Sequence, residues 1–138
     1  MFSLIRALAR PLLAAIFVSG GLDTARRPGG RTQAAAALGV PQSELAVRAN
    51  GATMVLAGVA FGLGLFPEWA AAILAASLIP TTLAGHPFWK ETDPQQRAGQ
   101  RIHFLKNVAM IGGLLLAAAE ERHARELRTT GERLRRAA

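Results

Sequence analysis

The chain of 138 residues has one-domain length, but at 51% hydrophobic residues and a mean hydropathy of +0.24 it is too apolar for a small water-soluble domain with this charge pattern. Its 16 lysines and arginines outweigh 9 acidic residues, giving a formal charge of +7. They sit at the edges of apolar blocks and in the last stretch, without the interleaved aromatics that stack bases, so the pattern excludes nucleic acid and points to the bilayer. Cysteine is absent, which excludes disulfides, thiol catalysis, iron–sulfur clusters and cysteine-ligated zinc within the chain.

The apolar residues form four blocks, each read as a membrane span. The first covers about residues 4–22. Arg6 and Arg10 ahead of its apolar core resemble a signal peptide, but no small-residue cleavage site follows, so it is read as an uncleaved span whose arginines snorkel to the interface. A long link follows with Arg26, Arg27, Pro28, Gly29, Gly30 and Arg31, then Gly39-Val40-Pro41, and the alanine-rich stretch between predicts a short helix. The second span, residues 45–66, is long enough to cross a hydrocarbon core of about 30 Å. Phe66-Pro67-Glu68 is read as a tight turn before the third span, residues 69–85. Trp69 and Trp89 stand about 30 Å apart along a helix, the separation of two interfacial anchors.

A second long link, polar and turn-rich around Asp93-Pro94, leads to the fourth span, residues 103–119, which Glu120-Glu121-Arg122 is expected to stop. Residues 120–138 alternate acidic and basic groups and predict a charged tail helix, lying on lipid or docking a soluble partner. The expected fold is all-α: an integral membrane antiparallel four-helix bundle over residues 1–119, with a short extra helix in the first long link and a charged C-terminal tail helix. Gly51, Gly58 and Gly62 share a face of the second span. With Gly20-Gly21 and Gly112-Gly113 they are expected to let helix backbones approach, and a homo-oligomer stays open. Arginines are slightly more numerous on the side holding both termini, which places the termini in the cytoplasm.

Both long links lie on one side of this topology, gathering Asp23, Arg48, Asn50, His86, Trp89, His103, Lys106 and Asn107 at one end. His103, Lys106, Asn107 and Met110 share one face of the fourth span at about 100° per residue. An ionisable group in a span costs roughly 2.5–3.5 kcal/mol on insertion scales, so it normally faces protein or water and marks function. His86, Trp89, His103, Lys106 and Asn107 are therefore the candidate ligand-binding rim. Asp23, Arg48 and Lys106, at one depth, are expected to pair their charges, either structurally or as a proton relay or clamp on an anionic or quinone-like head group. Two histidines without a carboxylate cluster make an incomplete metal site, and no metal is assigned. A neutral histidine near a carbonyl ligand can exchange a proton while Lys106 supplies positive charge. No catalytic residue is singled out.

The run Ser77–Leu116, with Gly85-His86, Phe88-Trp89 and His103-Phe104-Leu105-Lys106-Asn107 through Gly112-Gly113, resembles the third and fourth spans of the DoxX family of small bacterial membrane proteins. Arg10-Pro11 and Phe17-Val18-Ser19-Gly20-Gly21-Leu22-Asp23 resemble its first span, and the likeness extends to about Ala119. The resemblance implies a four-helix protein of the bacterial cell membrane, in a family named after subunits of a thiosulfate:quinone oxidoreductase. It also implies association, in the actinobacterial branch, with superoxide dismutase and sulfurtransferase partners in resisting oxidative and thiol stress. The chain departs from many relatives in carrying Asp23 where they have a basic residue. Two readings follow: a membrane subunit of a redox complex whose rim pocket receives a quinone head group, or a non-catalytic scaffold recruiting soluble redox enzymes.

Overall fold

A computed structural model describes the backbone of residues 2–137 and the side-chain surroundings of residues 4–136. Five α-helices and one 3-10 turn make up the regular structure: α1 Phe2–Arg26, α2 Gly30–Ala37, α3 Ser43–Gly62, α4 Pro67–Gly85, the turn Phe88–Lys90, and α5 Pro94–Ala137. Four of these helices, α1, α3, α4 and α5, are long and apolar enough to cross a membrane. Each turns a large aliphatic side chain outward, Leu12, Leu56, Ile79 and Leu116 being more than half exposed, as a surface facing lipid does.

The tightest seam joins α1 to α3. A Cβ added at Gly21 would lie 2.7 Å from the Gly51 carbonyl oxygen, and one at Gly51 would lie 2.7 Å from both the Gly21 oxygen and the Ala25 nitrogen. Further along, Gly58 meets Val18 and Gly62 meets Ala14, so later positions of α3 meet earlier positions of α1. Small residues matter here because lipid supplies no hydrophobic drive for helix association, and backbone proximity gives the dispersion contacts instead. Gly20, Gly112 and Gly113 take no part in such a seam: nothing lies within 4 Å of a Cβ built on any of them. Phe17, Met54 and Phe61, Leu74, and Leu114 bring α1, α3, α4 and α5 to one core.

Helix α1 runs on to Arg26 rather than ending at residue 22, and helix boundaries differ from expectation in three further places, each with a local cause. Helix α3 ends at Gly62 rather than residue 66. Gly64 takes φ +71°, and Leu65 N–H reaches the Ala60 carbonyl while Gly64 N–H reaches that of Phe61, a left-handed cap that closes the helix early. Pro67 then opens α4 at a position that needs no N–H donor. Helix α5 begins nine residues before His103 because Asp93 caps it: its Oδ1 accepts from Gln96 N–H at 2.7 Å, and Pro94 occupies the first turn. Asp93→Ala should cost about 1 kcal/mol in denaturant unfolding and speed hydrogen exchange at Gln96, while Asp93→Asn should retain the cap.

The third difference is the tail. Glu120-Glu121-Arg122 does not break the helix, and α5 runs into the charged tail as one element of 44 residues. Its charges at the membrane edge are paired across the bundle. Glu121 takes Arg10, and Arg6 lies 3.9 Å from Glu121 and 4.0 Å from Glu120. Arg125 meets Glu68 at the start of α4 at 3.0 Å. Helix propagation costs little where each new charge finds a partner on a neighbouring span.

Candidate functional site

At the end of the bundle opposite Arg10 and Glu121, the four spans part around a cavity of about 660 Å³, and α2 folds back to help wall it. Its floor is apolar and buried, formed by Phe17, Met54 and Leu78, with Met110 half-buried beside them. Its mouth is polar: Arg31 from α2, Asn50 from α3, Thr81 and His86 from α4 and its end, and Lys106 and Asn107 from α5. No acidic side chain lines it. The volume lies within the range of small-molecule sites, and an apolar interior with a few convergent polar groups is the common build of such sites.

Helix α4, continuous through Pro80, supplies the fixed polar wall through Thr81 and Thr82. Threonine hydroxyls inside a helix commonly back-bond to the carbonyl four residues earlier, which leaves the hydroxyl oxygen free to accept. Thr81 Oγ1 donates to the Ser77 carbonyl at 2.9 Å and Thr82 Oγ1 to that of Leu78 at 2.6 Å. Each hydroxyl in turn accepts from an asparagine on a neighbouring helix, Asn50 Nδ2 to Thr81 Oγ1 at 3.0 Å and Asn107 Nδ2 to Thr82 Oγ1 at 3.1 Å. Two amides thus pin α3 and α5 to α4 at the depth of the cavity. Asn107 is buried, and its pairing satisfies a polar group that would otherwise be costly among apolar neighbours.

The two rim histidines stack, with ring centroids 5.2 Å apart and planes 20° from parallel. His86 Nδ1 lies 2.7 Å from Gln100 Oε1, a hydrogen bond that fixes the ring against α5. Lys106 Nζ donates to His103 Nδ1 at 3.4 Å. Among the described residues no carboxylate lies within ion-pair distance of Lys106, so its charge stands at the cavity mouth without a counter-ion.

Of the five expected rim residues, His86, Lys106 and Asn107 line the cavity, whereas His103 and Trp89 do not. His103 supports the wall from behind, through His86 and Lys106. Trp89 packs edge-on to Phe88 at 5.2 Å and to Phe104 at 5.9 Å, holding the 3-10 turn on α5. The expected Asp23–Arg48–Lys106 pairing is not formed. Asp23 takes Arg31 at 2.9 Å, because α2 folds back over the end of α1 and brings that guanidinium nearer than any charge on α3 or α5. Arg48 is satisfied on its own helix by Glu44 at 2.9 Å and across the seam by the Ala25 carbonyl at 2.7 Å. Arg31, Thr81 and Thr82 were not singled out from the sequence. Pro80-Thr81-Thr82 inside a span was a readable signal for the threonines. Arg31 had none, since its place depends on how α2 folds back.

Comparison with known families gives a match to the DoxX model over residues 5–87, which takes in α1 to α4 and ends before the 3-10 turn and α5. No curated protein and no solved structure matches the chain.

Proposed function

Because the chain belongs to the DoxX family and is a multi-pass membrane protein, we propose that it is a membrane subunit associated with a redox complex of the bacterial cell membrane, an antiparallel four-helix bundle whose end cavity receives a quinone head group. The observation that carries this reading is the cavity itself: apolar below, lined by no acid, with Lys106 at its mouth lacking a carboxylate partner. The Gly21–Gly51, Val18–Gly58 and Ala14–Gly62 pairings support the antiparallel arrangement of the first two spans.

The residues fit such a ligand. Phe17, Met54 and Leu78 offer an apolar bed for a flat ring, and Met110 adds a polarizable thioether that contacts aromatic rings favourably. Lys106 would hold a carbonyl oxygen of such a ligand by a hydrogen bond and offset negative charge there, and the imidazole of His86 would exchange a proton with a ring oxygen. A quinone, when bound, supplies two-electron carrier chemistry. Thr81 and Thr82 are engaged with Asn50 and Asn107, so these four hold the wall rather than contact the ring first. Solvent extraction of the purified protein, with an ultraviolet spectrum before and after borohydride reduction, should reveal a reducible quinone in stoichiometric amount. An extract with no reducible chromophore would sink the reading.

A second reading, a non-catalytic scaffold for soluble redox enzymes, is favoured by one observation. The end of α5 carries a long exposed stretch that, among the described residues, makes no hydrogen bond or ion pair to another element beyond Arg125. The arginine excess of that stretch supports termini in the cytoplasm.

A further inference from the structure

The end of α5 is built in two halves. As far as Arg125 it is tied to the bundle, through Glu120 and Glu121 to α1 and through Arg125 to Glu68 of α4. From Leu127 to Arg136 no hydrogen bond or ion pair among the described residues links it to any other element, and Leu127 and Leu134 are 61% and 67% exposed. These leucines are seven residues apart and share a face with Ala124 and Gly131. Placed in a heptad, they occupy successive d positions with Ala124 and Gly131 at a, a seam of small and large residues that a second helix can enter closely.

The charges beside this seam decide what enters it. Arg128 and Arg135 occupy the flanking e positions, and His123 and Thr130 the g positions. Over residues 127–136 four arginines stand against a single glutamate, Glu132, and none of the four has an ion-pair partner among the described residues. A second copy of α5 would offer arginine, histidine and threonine at those edges and no acid to meet Arg128 or Arg135, so self-pairing is unfavourable.

Lipid is out of reach of the far half of this seam along the helix axis. Glu121, paired with Arg10, marks the end of the apolar stretch, and Leu134 lies 13 positions further on, about 20 Å at 1.5 Å per residue. The headgroup layer extends only about 5–8 Å beyond the hydrocarbon core on each side. An uninterrupted helix running along the membrane normal therefore carries Leu134 and Arg135 into water, beyond a Debye length of about 8 Å from the lipid surface at physiological salt, while Leu127 and Arg128, about 9–10 Å past Glu121, stand just outside the headgroup layer.

We propose that the face of α5 formed by Ala124, Leu127, Gly131 and Leu134, flanked by Arg128 and Arg135, is a docking seam for an acidic amphipathic helix of a water-soluble protein. This deepens the scaffold reading, and it is independent of what the cavity holds. Aliphatic side chains of the partner fill the gaps over Ala124 and Gly131 between the two leucines, and its carboxylates meet the two arginines.

The test uses the full chain in nanodiscs of neutral lipid and a synthetic helical probe with leucine at a and d and glutamate at e and g. Saturable binding is expected, weakened at least about tenfold by Leu127→Ala with Leu134→Ala and by Arg128→Glu with Arg135→Glu. The same probe with lysine replacing glutamate should bind only the Arg128→Glu, Arg135→Glu variant. All four substitutions lie on an exposed face, and an unchanged quinone titration on each variant confirms an intact bundle. If quinone binding were absent but the probe pattern held, the cavity reading would fail and the seam would stand. The proposal is overturned by equal binding of the acidic and basic probes, by no binding, or by binding that survives loss of both leucines. Arginine-dependent capture of phosphatidylglycerol vesicles in place of the probe would also overturn it.

Discussion

Gly51→Ala is expected to destabilise the bundle by about 3 kcal/mol, the upper part of the range for overpacking, although alanine is the better helix former by roughly 1 kcal/mol. The added methyl would sit 2.7 Å from the Gly21 carbonyl oxygen and the Ala25 amide nitrogen, both backbone atoms of α1 that cannot rotate aside. Relief requires the two helices to separate, which costs dispersion along the seam as far as Gly58 and Gly62. Gly113→Ala is the matched control. Nothing lies within 4 Å of its Cβ, so the same change should be neutral or slightly stabilising. Unfolding titrations in mixed micelles would read both, and equal stability of the two variants would contradict close α1–α3 packing. The loss should also widen the cavity, since Phe17 and Thr24 of α1 help line it and Asn50 neighbours Gly51.

How much of this was legible in the sequence follows from how local each signal is. The four spans depend on runs of apolar residues, and all four are present as long helices. The Gly51, Gly58 and Gly62 face was readable because 3.6-residue periodicity alone places those positions together, and its partner in α1 is Gly21 rather than Gly20. Helix ends were less legible. Asp93-Pro94 reads equally as a turn or as a cap followed by a first-turn proline, and only the Gln96 hydrogen bond decides. The charges at Glu120 and Glu121 read as a stop because their partners, Arg6 and Arg10, lie more than a hundred residues away in the chain.

The candidate site divides in the same way. Lys106 and Asn107 stand out in the sequence because a polar group in an apolar span is conspicuous by itself, and His86 because both long links fall at one end of the bundle. The Asp23–Arg48–Lys106 pairing does not form because equal depth along the bundle says nothing about azimuth, and the folded-back α2 brings Arg31 to Asp23. Trp89 was assigned to the rim by its depth as well. Its ring is instead taken by Phe88 and Phe104, a choice made by three aromatics meeting across a link and a helix.

The second large effect concerns Lys106. It is the cation at the cavity mouth without a carboxylate partner, since Arg31 is engaged with Asp23, so its removal takes away the main donor to an electron-rich oxygen. Lys106→Met keeps the length and the apolar stem of the side chain. A hydrogen bond from a charged donor is worth about 1.5–3 kcal/mol, which corresponds to a loss of affinity of roughly tenfold or more. His103→Ala should have a smaller effect, because that ring acts through Lys106 and His86 and does not line the cavity. Leu116→Ala, on the lipid-facing side of the same helix, should change nothing.

The most direct measurement is therefore equilibrium binding of a short-chain quinone to the purified protein in nanodiscs, wild type beside Lys106→Met and Leu116→Ala. The account predicts one saturable site per chain, at least about tenfold weaker in Lys106→Met and unaltered in Leu116→Ala. Partitioning without saturation, or an affinity that Lys106→Met leaves unchanged, would contradict it.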